Sequence, residues 1–456
     1  MPSAFDRTQT SSSGPRRPTP QLLAAPDALA LARERVLLVN PPVVDSRYPW
    51  VKWNQPLDLL KLGTFLAQTR GCEVRLFDFM LPTPKGTVPR QQSRISQDLP
   101  PGEPVRWHYG QPWEAFDAYL AALAGHEWIP DSVWITTLTS FWWQSVPLVA
   151  DRVKNRLRRP FVVVCGNYPL LETEHAARFC PNIDIVVRDR VDLTCCPPDF
   201  SLYGKQTPAF CALDLRDPQP AGDIERAMRR GMHHFVFFNE NIFADFGTLL
   251  KPVLQEVVSN KWKAWFHGIC GVETRDFPVD DAQLLADAHF SELHFEPALN
   301  ENGMVDEQTY RNVMLACRET GIVSKRGAGW EARGHDISGF LWIGQPHDDS
   351  RELVWNALKL LQLVGMVIPK PYSPTPGSDN HAWLIARAGE VQPEDTSPHR
   401  LPCAGWNGMA KSDYEDLYRL TAFLNLKVHS HTFDFLGDTY LAKTIRRAMA
   451  GRRWSL

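Results

Sequence analysis

Short apolar runs and helix-spaced apolar positions alternate along the first part of the chain. Runs in which every residue is apolar, such as Phe161–Cys165, are typical of strands buried on both faces of a parallel sheet. Segments between them, such as Leu57–Arg70 before Gly71, have helical spacing and a helix-ending glycine. The pattern predicts strands at Arg35–Asn40, Glu73–Phe79, Ser132–Thr137, Phe161–Cys165 and Ile183–Val187. Strands that alternate with helices predict a doubly wound, Rossmann-like α/β sheet.

The same alternation continues in the second part of the chain. Further strands are predicted at Pro208–Leu215, His233–Phe238, Lys263–Cys270, Glu292–Pro297, Gly321–Ala328, Ser338–Ile343 and Met366–Lys370. Helical patterns separate them, so the region predicts about six or seven β/α units. That number is enough for a partial or full β/α barrel of the TIM type.

Shifts in composition along the chain suggest the domain boundaries. Residues 1–33 are rich in Ser, Thr, Pro and Arg at their start and are predicted to be a disordered tail. Residues 34–190 form the first α/β domain, 191–207 a linker and 208–375 the barrel. Residues 376–456 are predicted to be a C-terminal loop and a small helical cap, with helices at Lys411–Lys427 and Thr439–Met449.

Composition and charge exclude several classes of protein. The 456 residues are 44% hydrophobic and 22% charged with a formal net charge of −3, so neither nucleic acid nor a membrane is an expected partner. The first residues contain no apolar run of the secretory kind, which predicts a cytoplasmic protein. Nine cysteines occur without any C-x-x-C or C-x-x-x-C pair, so free thiols are expected and no metal site is assigned.

The predicted strand ends of the first domain carry small, hydroxyl and aromatic groups and no acid–base pair. Such a lining suits a large, flat and mostly neutral ligand, whereas no G-x-G-x-x-G or P-loop motif is present for a phosphate. Trp142 and Trp143 also fit a second interpretation, in which they are core anchors at the start of a helix. The candidate cofactor-binding residues are Asn40, Pro41, Pro42, Thr137, Thr139, Ser140, Phe141, Trp142, Gly166, Asn167 and Tyr168.

Polar residues just past the strand ends of the barrel face its predicted opening, where barrel active sites lie. Carboxylates and guanidinium groups there could bind a substrate, or could pair with one another as a structural rim. The sequence identifies no catalytic residue. The candidate pocket residues are Glu240, Arg275, Glu296, Arg333, Gln345 and Tyr372.

Several segments together resemble the B12-binding-domain-containing radical SAM enzymes. Val36–Pro42, Leu57–Gly63, Thr137–Trp143 and Cys165–Pro169 resemble the cobalamin-binding domain of that family, whose strand-end loops wrap the corrinoid. The D-x-H-x-x-G motif, which places a histidine on cobalt in other corrinoid proteins, is absent. The resemblance therefore implies cobalamin as a cofactor but indicates no cobalt ligand.

The resemblance extends into the barrel. Leu341–Asp349 is similar to the segment that lines the S-adenosylmethionine site, Pro371–Gly377 to a proline-rich closing stretch, and Pro197–Phe200 to the linker. The resemblance therefore implies S-adenosylmethionine as a second cofactor, bound at the candidate pocket residues.

One departure from the family pattern concerns its iron–sulfur cluster. Family members carry a C-x-x-x-C-x-x-C loop after the first barrel strand, and its thiolates hold a [4Fe-4S] cluster. Here the segment Cys211–Gly222 contains one cysteine and leads directly into a helix. We therefore do not expect a [4Fe-4S] cluster.

The sequence therefore predicts a cobalamin-binding protein of the radical SAM architecture without an iron–sulfur cluster. It would carry out or support cobalamin-linked methyl transfer to a small molecule or peptide, as in natural-product modification. One alternative is a non-catalytic partner subunit, or pseudoenzyme, of an active paralogue. Another is a corrinoid-free nucleotide- or sugar-binding α/β enzyme. Whether the chain is itself an enzyme stays open at this point.

Overall fold

Apolar runs and helix-spaced segments form fifteen strands and thirteen helices in the residues that a computed structural model describes, namely 19–45, 54–83, 87–92, 106–157, 160–239, 241–301, 303–322, 337–346, 348–363, 367–389, 391–398 and 409–428. The strands are β1 (Gln21–Leu23), β2 (Arg35–Asn40), β3 (Val43–Asp45), β4 (Glu73–Asp78), β5 (Arg90–Gln92), β6 (Trp107–Tyr109), β7 (Ser132–Thr137), β8 (Phe161–Gly166), β9 (Ile185–Val187), β10 (Cys211–Leu213), β11 (His234–Phe237), β12 (Trp265–Glu273), β13 (Phe290–Glu296), β14 (Ile337–Ile343) and β15 (Val367–Pro371). The helices are α1 (Ala25–Ala30), α2 (Leu57–Arg70), α3 (Trp113–Gly125), α4 (Ser145–Arg156), α5 (Asn167–Leu171), α6 (Thr173–Phe179), α7 (Pro220–Arg229), α8 (Leu250–Ser259), α9 (Ala282–Asp287), α10 (Glu307–Thr320), α11 (Ser350–Leu363), α12 (Asp379–Ala388) and α13 (Lys411–Val428).

The first sheet has six parallel strands in the order β1-β9-β8-β7-β2-β4. Alternate residues of its strands enter two cores: Leu37 and Ile135 pack with α3 and α4, whereas Leu38 and Trp134 pack with α1 and α2. Burial on both faces explains why these strands are continuous apolar runs. The predicted mixed α/β class with a parallel sheet is confirmed.

The strand order of this sheet reverses between β2 and β7. The chain places β4 on one side of β2 and then continues with β7, β8 and β9 on the other side. In open parallel sheets, ligands bind beyond the carboxyl ends of the strands at such a reversal. The ends of β2 and β7 are Asn40 and Thr137, two of the candidate cofactor-binding residues.

The second sheet also has six parallel strands among the described residues, in the sequential order β10 to β15. One face carries the largest core, in which Phe235, Phe266 and Leu293 are buried among residues of helices such as α8 and α10. This arrangement fits the predicted β/α repeat. The predicted strand Gly321–Ala328 falls mostly outside the described residues.

A side-chain amide joins the two sheets at the edge strand β10. Gln55 Nε2 donates to the Phe210 carbonyl at 3.1 Å, and the Ala212 backbone N–H donates to Gln55 Oε1 at 2.7 Å. Gln55 thus satisfies backbone groups that an edge strand would leave unpaired. Leu57 of α2 packs against the small apolar cluster around β10. The contact positions the start of α2 over the carboxyl end of the second sheet.

Two regions differ from the prediction. The disordered tail is wrong for residues 21–30, because β1 pairs with β9 and Ala25 and Ala28 of α1 are buried; strand β1 is short and mostly exposed, so only its partner reveals it. The C-terminal loop contains the helix α12 and a 3₁₀ turn at Pro393–Thr396. The predicted helix Thr439–Met449 lies outside the described residues, and the other boundaries stay predictions.

The 3₁₀ turn at Pro393–Thr396 is fixed to the first domain through Glu394. Glu394 is 5% exposed, and its carboxylate accepts from Trp143 Nε1 at 2.7 Å and Gln144 Nε2 at 2.9 Å.

None of the helices in the described ranges is both long and apolar enough to cross a bilayer.

Candidate ligand cavity between the two sheets

A cavity of about 1580 Å³ lies where the carboxyl ends of both parallel sheets face each other. The ends of β2, β7 and β8 line one side, and residues at or after the ends of β10 to β15 line the other. Small-molecule sites usually have volumes of roughly 300–1,000 Å³. The cavity is therefore large enough for a ligand bigger than an ordinary metabolite.

Most of the candidate cofactor-binding residues line this cavity, and they are Asn40, Thr137, Thr139, Phe141, Trp142, Gly166 and Asn167. Pro41, Pro42, Ser140 and Tyr168 do not line it, and all four are buried. The two prolines connect β2 directly to β3, which keeps them inside the protein. Tyr168 is fully buried against Trp143, and its hydroxyl is 2.8 Å from His175 Nδ1.

The side-chain amide of Asn40 is fixed by a buried carboxylate. Asn40 Nδ2 donates to Asp78 Oδ1 at 2.7 Å, and the Met80 N–H donates to the same oxygen at 2.9 Å. The Tyr203 hydroxyl donates to Asp78 Oδ2 at 3.2 Å. Burial raises the pKa of Asp78 to about 6, although these hydrogen bonds act to lower it. Asp78 thus holds a polar group in place where the strand order reverses.

A glycine gives the backbone of β8 its course at the cavity. Gly166 has φ +85°, and a Cβ atom there would lie 2.1 Å from Thr136 Oγ1. Only glycine fits both the conformation and the space. The next residue, Asn167, donates from Nδ2 to the Leu138 carbonyl at 2.8 Å. The Thr139 hydroxyl is buried and has no hydrogen-bond partner among the described residues.

Each of the two neighbouring tryptophans fits a different one of the two interpretations, cavity wall or core anchor. Trp142 lines the cavity while its Nε1 donates to Asp45 Oδ2 at 2.8 Å. Trp143 is 1% exposed in the core of the first sheet and bonds to Glu394. Trp143 is therefore a core anchor, and Trp142 presents an aromatic surface to the cavity.

The predicted pocket residues of the barrel divide in the same way. Glu296 and Tyr372 line the cavity. Arg275 does not, because its Nη2 donates to the Leu299 carbonyl at 2.5 Å outside the lining. Gln345 lies in a turn closed by the Asp348 carboxylate, which accepts from the Gln345 N–H at 3.0 Å. Glu240 and Arg333 lie outside the described residues.

Lys370 on β15 is a cavity residue that the sequence analysis missed. Its Nζ donates to the Cys270 carbonyl at 2.8 Å and lies 4.4 Å from the ring centroids of both Phe340 and Trp342. Glu296 Oε1 is 3.9 Å from this ammonium group. A lysine on an otherwise apolar strand end was the available signal, because a desolvated ammonium group needs such partners.

A charged group at the end of the cavity was also missed. Asp214 to Asp217 follow β10 directly, and the Asp217 carboxylate pairs with Lys61 of α2 in a contact where both side chains are under 10% exposed. Arg216 Nε and Nη2 each lie 2.9 Å from an oxygen of Asp214. The available signal was the sequence Asp-Leu-Arg-Asp at 214–217. It lies within the segment Cys211–Gly222, where family members carry the cysteine loop.

The described cysteines do not form a donor set for a metal cluster. Cys211 is fully buried in the core of the second sheet, where burial raises its pKa well above the ordinary value. Cys195 is exposed and Cys196 half-buried in the preceding loop. Within the described ranges, no three His, Cys, Asp or Glu side chains are grouped so as to hold a metal ion. Cys403 lies outside these ranges.

Comparisons with known proteins give a likeness in structure only. No protein-family model matches the sequence, and no curated protein matches it. The chain is similar to the solved structure of the radical S-adenosylmethionine methyltransferase TsrM from Kitasatospora setae with cobalamin and a [4Fe-4S] cluster bound. That likeness has a TM-score of 0.53 and 11% identity, over 92% of this chain and 100% of that chain.

A second TsrM structure, with tryptophan substrate and the SAM analogue aza-SAM bound, gives a TM-score of 0.48 and 13% identity. It covers 78% of this chain and 77% of that chain. The first likeness, with a TM-score of 0.53 at 11% identity, establishes a fold and nothing finer. The chain therefore shares the fold of a methyltransferase whose structure contains cobalamin.

Proposed function

We propose that this protein binds cobalamin in the cavity between its two sheets and takes part in cobalamin-linked methyl transfer from S-adenosylmethionine. The observation that carries the proposal is the position of the cavity. It lies at the strand reversal of the first sheet, is closed by the carboxyl ends of the second sheet, and has a volume of about 1580 Å³. Both sheets thus direct their usual ligand-binding edges to one space.

The chemistry of the lining fits a corrinoid. Cobalamin is a broad macrocycle with primary amide groups around its rim, and those amides can both donate and accept hydrogen bonds. The first domain presents neutral hydroxyl and amide groups, and the buried Thr139 hydroxyl has no partner among the described residues. A buried polar atom without a partner is unfavourable unless a ligand or water satisfies it. The Thr139 hydroxyl is therefore suited to a rim amide.

Residues of the first domain would hold and orient the bound corrinoid. Phe141 and Trp142 provide an apolar wall, and Asn40 and Asn167 are fixed by their own hydrogen bonds, so little freedom is lost on binding. Gly166 keeps the backbone open to the ligand. When bound, the corrinoid would supply a cobalt centre able to carry a methyl group.

We further propose that the reaction proceeds without a [4Fe-4S] cluster. The donors that follow β10 are the carboxylates and guanidinium group of Asp214, Arg216 and Asp217, where a cluster needs thiolates. The Cys211 thiol is buried in the core of the second sheet, and this burial raises its pKa well above the ordinary value. TsrM differs in this respect, because its structure contains the cluster.

Purification in the presence of hydroxocobalamin, iron and sulfide tests both parts. We expect about one bound corrinoid per chain by absorbance, with iron and sulfide far below four per chain. Label from methyl-labelled S-adenosylmethionine should then reach the reduced, bound corrinoid. Absence of corrinoid would refute the proposal and favour a corrinoid-free α/β enzyme. Corrinoid binding without label transfer would instead favour a non-catalytic subunit, and stoichiometric iron and sulfide would refute the cluster-free mechanism.

A further inference from the structure

One group of charged side chains in the cavity lining lies where α2 meets the loops after β9 and β10. The lining from the strand ends of the first sheet is neutral, whereas the start of α2, the loop after β9 and the loop after β10 contribute ionised side chains. Three are carboxylates and three are cations, and they are Asp58, Lys61, Arg190, Asp214, Arg216 and Asp217. A mixed set of this kind suits a ligand that carries charges of both signs.

Four of these six side chains already have partners. Lys61 pairs with Asp217, and Arg216 forms a bidentate pair with Asp214. Asp58 and Arg190 make no hydrogen bond or ion pair with any described residue, although Arg190 lies close enough to lower the pKa of Asp58. One anionic and one cationic group therefore face the cavity with their bonding capacity unused.

Asp58 is exposed to solvent on the cavity lining, yet the protein atoms around it raise its pKa by desolvation, against the opposing effects of Lys61, Arg190 and Arg216. A carboxylate on an open surface would show the first property without the second. A cationic ligand group would relieve this desolvation.

A second, independent feature lies four residues earlier in the chain, just before α2 begins. Asn54 is 5% exposed and lines the same cavity, and its Oδ1 accepts no hydrogen bond from the described residues. Its neighbour Gln55 is fixed to β10 by two hydrogen bonds, so the segment has a defined position. An ammonium group has three N–H donors and no acceptor, which matches the acceptors of Asn54 and Asp58.

We propose that Asp58, Asn54 and Arg190 form a subsite for the α-amino-acid end of a ligand. Asp58 and Asn54 Oδ1 accept from its α-ammonium group, and Arg190 binds its α-carboxylate. The inference rests on the proposed function, in which that ligand is S-adenosylmethionine. A free amino-acid substrate would present the same two groups.

Calorimetric titration of the full chain distinguishes these sources. The ligands are S-adenosylhomocysteine, 5′-methylthioadenosine, which lacks the amino-acid end, and each of the common L-amino acids. The variants are Asp58→Asn and Arg190→Gln. The control is Asp27→Asn, which removes an exposed first-turn carboxylate from α1, outside the cavity. Unfolding midpoints and corrinoid absorbance of every variant report whether it is folded.

We expect Asp58→Asn to weaken binding of S-adenosylhomocysteine, or of one free amino acid, by about 10- to 100-fold. Arg190→Gln should weaken binding of the same ligand as well. The affinity for 5′-methylthioadenosine should be the same in both variants as in wild type, and Asp27→Asn should bind every ligand as wild type does. Equal affinity in Asp58→Asn and wild type would overturn the inference, as would failure of every amino-acid ligand to bind. Corrinoid absorbance separates the two proposals. Its absence from the wild-type protein would refute the proposed function, whereas the amino-acid titrations test the subsite alone.

Discussion

Replacing Asp78 with asparagine tests how the first sheet holds a carboxyl group in its interior. Burial raises the pKa of Asp78 from 3.8 to about 6, so folding favours its protonated form. The favourable contribution is complete below the unfolded pKa and is lost as the pH rises through the folded one. The difference corresponds to about 3 kcal/mol. The amide introduced by Asp78→Asn would keep an Oδ1 acceptor for Asn40 and Met80.

Urea titrations between pH 3.5 and 7 measure the effect. We expect the free energy of unfolding of wild type, relative to Asp78→Asn, to fall by about 3 kcal/mol over this range. Asp306→Asn is a control of opposite sign, because bonds from Thr309 lower the pKa of Asp306. The free energy of unfolding of wild type, relative to Asp306→Asn, should rise with pH. A flat or rising difference for Asp78→Asn would show that the carboxyl group is not desolvated as described.

Two further substitutions test the cavity walls. Gly166→Ala should lower corrinoid affinity at least about tenfold and lower the free energy of unfolding by more than the roughly 1–3 kcal/mol expected for the backbone strain alone. Gly389→Ala measures that strain alone, because Gly389 has φ +80° and ψ −136°, close to φ +85° and ψ −159° at Gly166, and nothing lies within 4 Å of a Cβ atom there. Equal effects would refute the close contact. Lys61→Met should lower the free energy of unfolding by about 3–5 kcal/mol because it leaves Asp217 buried and unpaired. Adding Asp217→Leu should restore most of it, whereas Arg229→Met in an exposed pair should change it by less than about 1 kcal/mol.

The strands could be predicted where local composition determines them. Phe161–Cys165 was predicted and Phe161–Gly166 is observed, because burial on both faces demands an apolar run. Gln21–Leu23 could not be found in this way, since the strand has three residues and exists only through its pairing with Ile185–Val187. Its stability comes from a partner more than 160 residues away.

Some residues of the candidate site could likewise be predicted from the sequence, and others could not. Asn40, Thr137 and Gly166 were predictable because they end parallel strands, and the sheet brings such ends to one edge. Asp58 and Lys61 were not, because charged residues in a helix ordinarily indicate its solvent-facing side. Here the loop after β10 covers Lys61 and Asp58 stays exposed on the cavity lining, so no local pattern distinguishes either residue from an ordinary helix surface.

The anchoring of Glu394 has a consequence for how the protein is made. Trp143 Nε1 and Gln144 Nε2 belong to the amino-terminal half, but their acceptor is about 250 residues further along the chain. During synthesis that acceptor emerges from the ribosome about 250 residues after its two donors. The first domain thus lacks these two hydrogen bonds until a segment well beyond the second sheet has been synthesised.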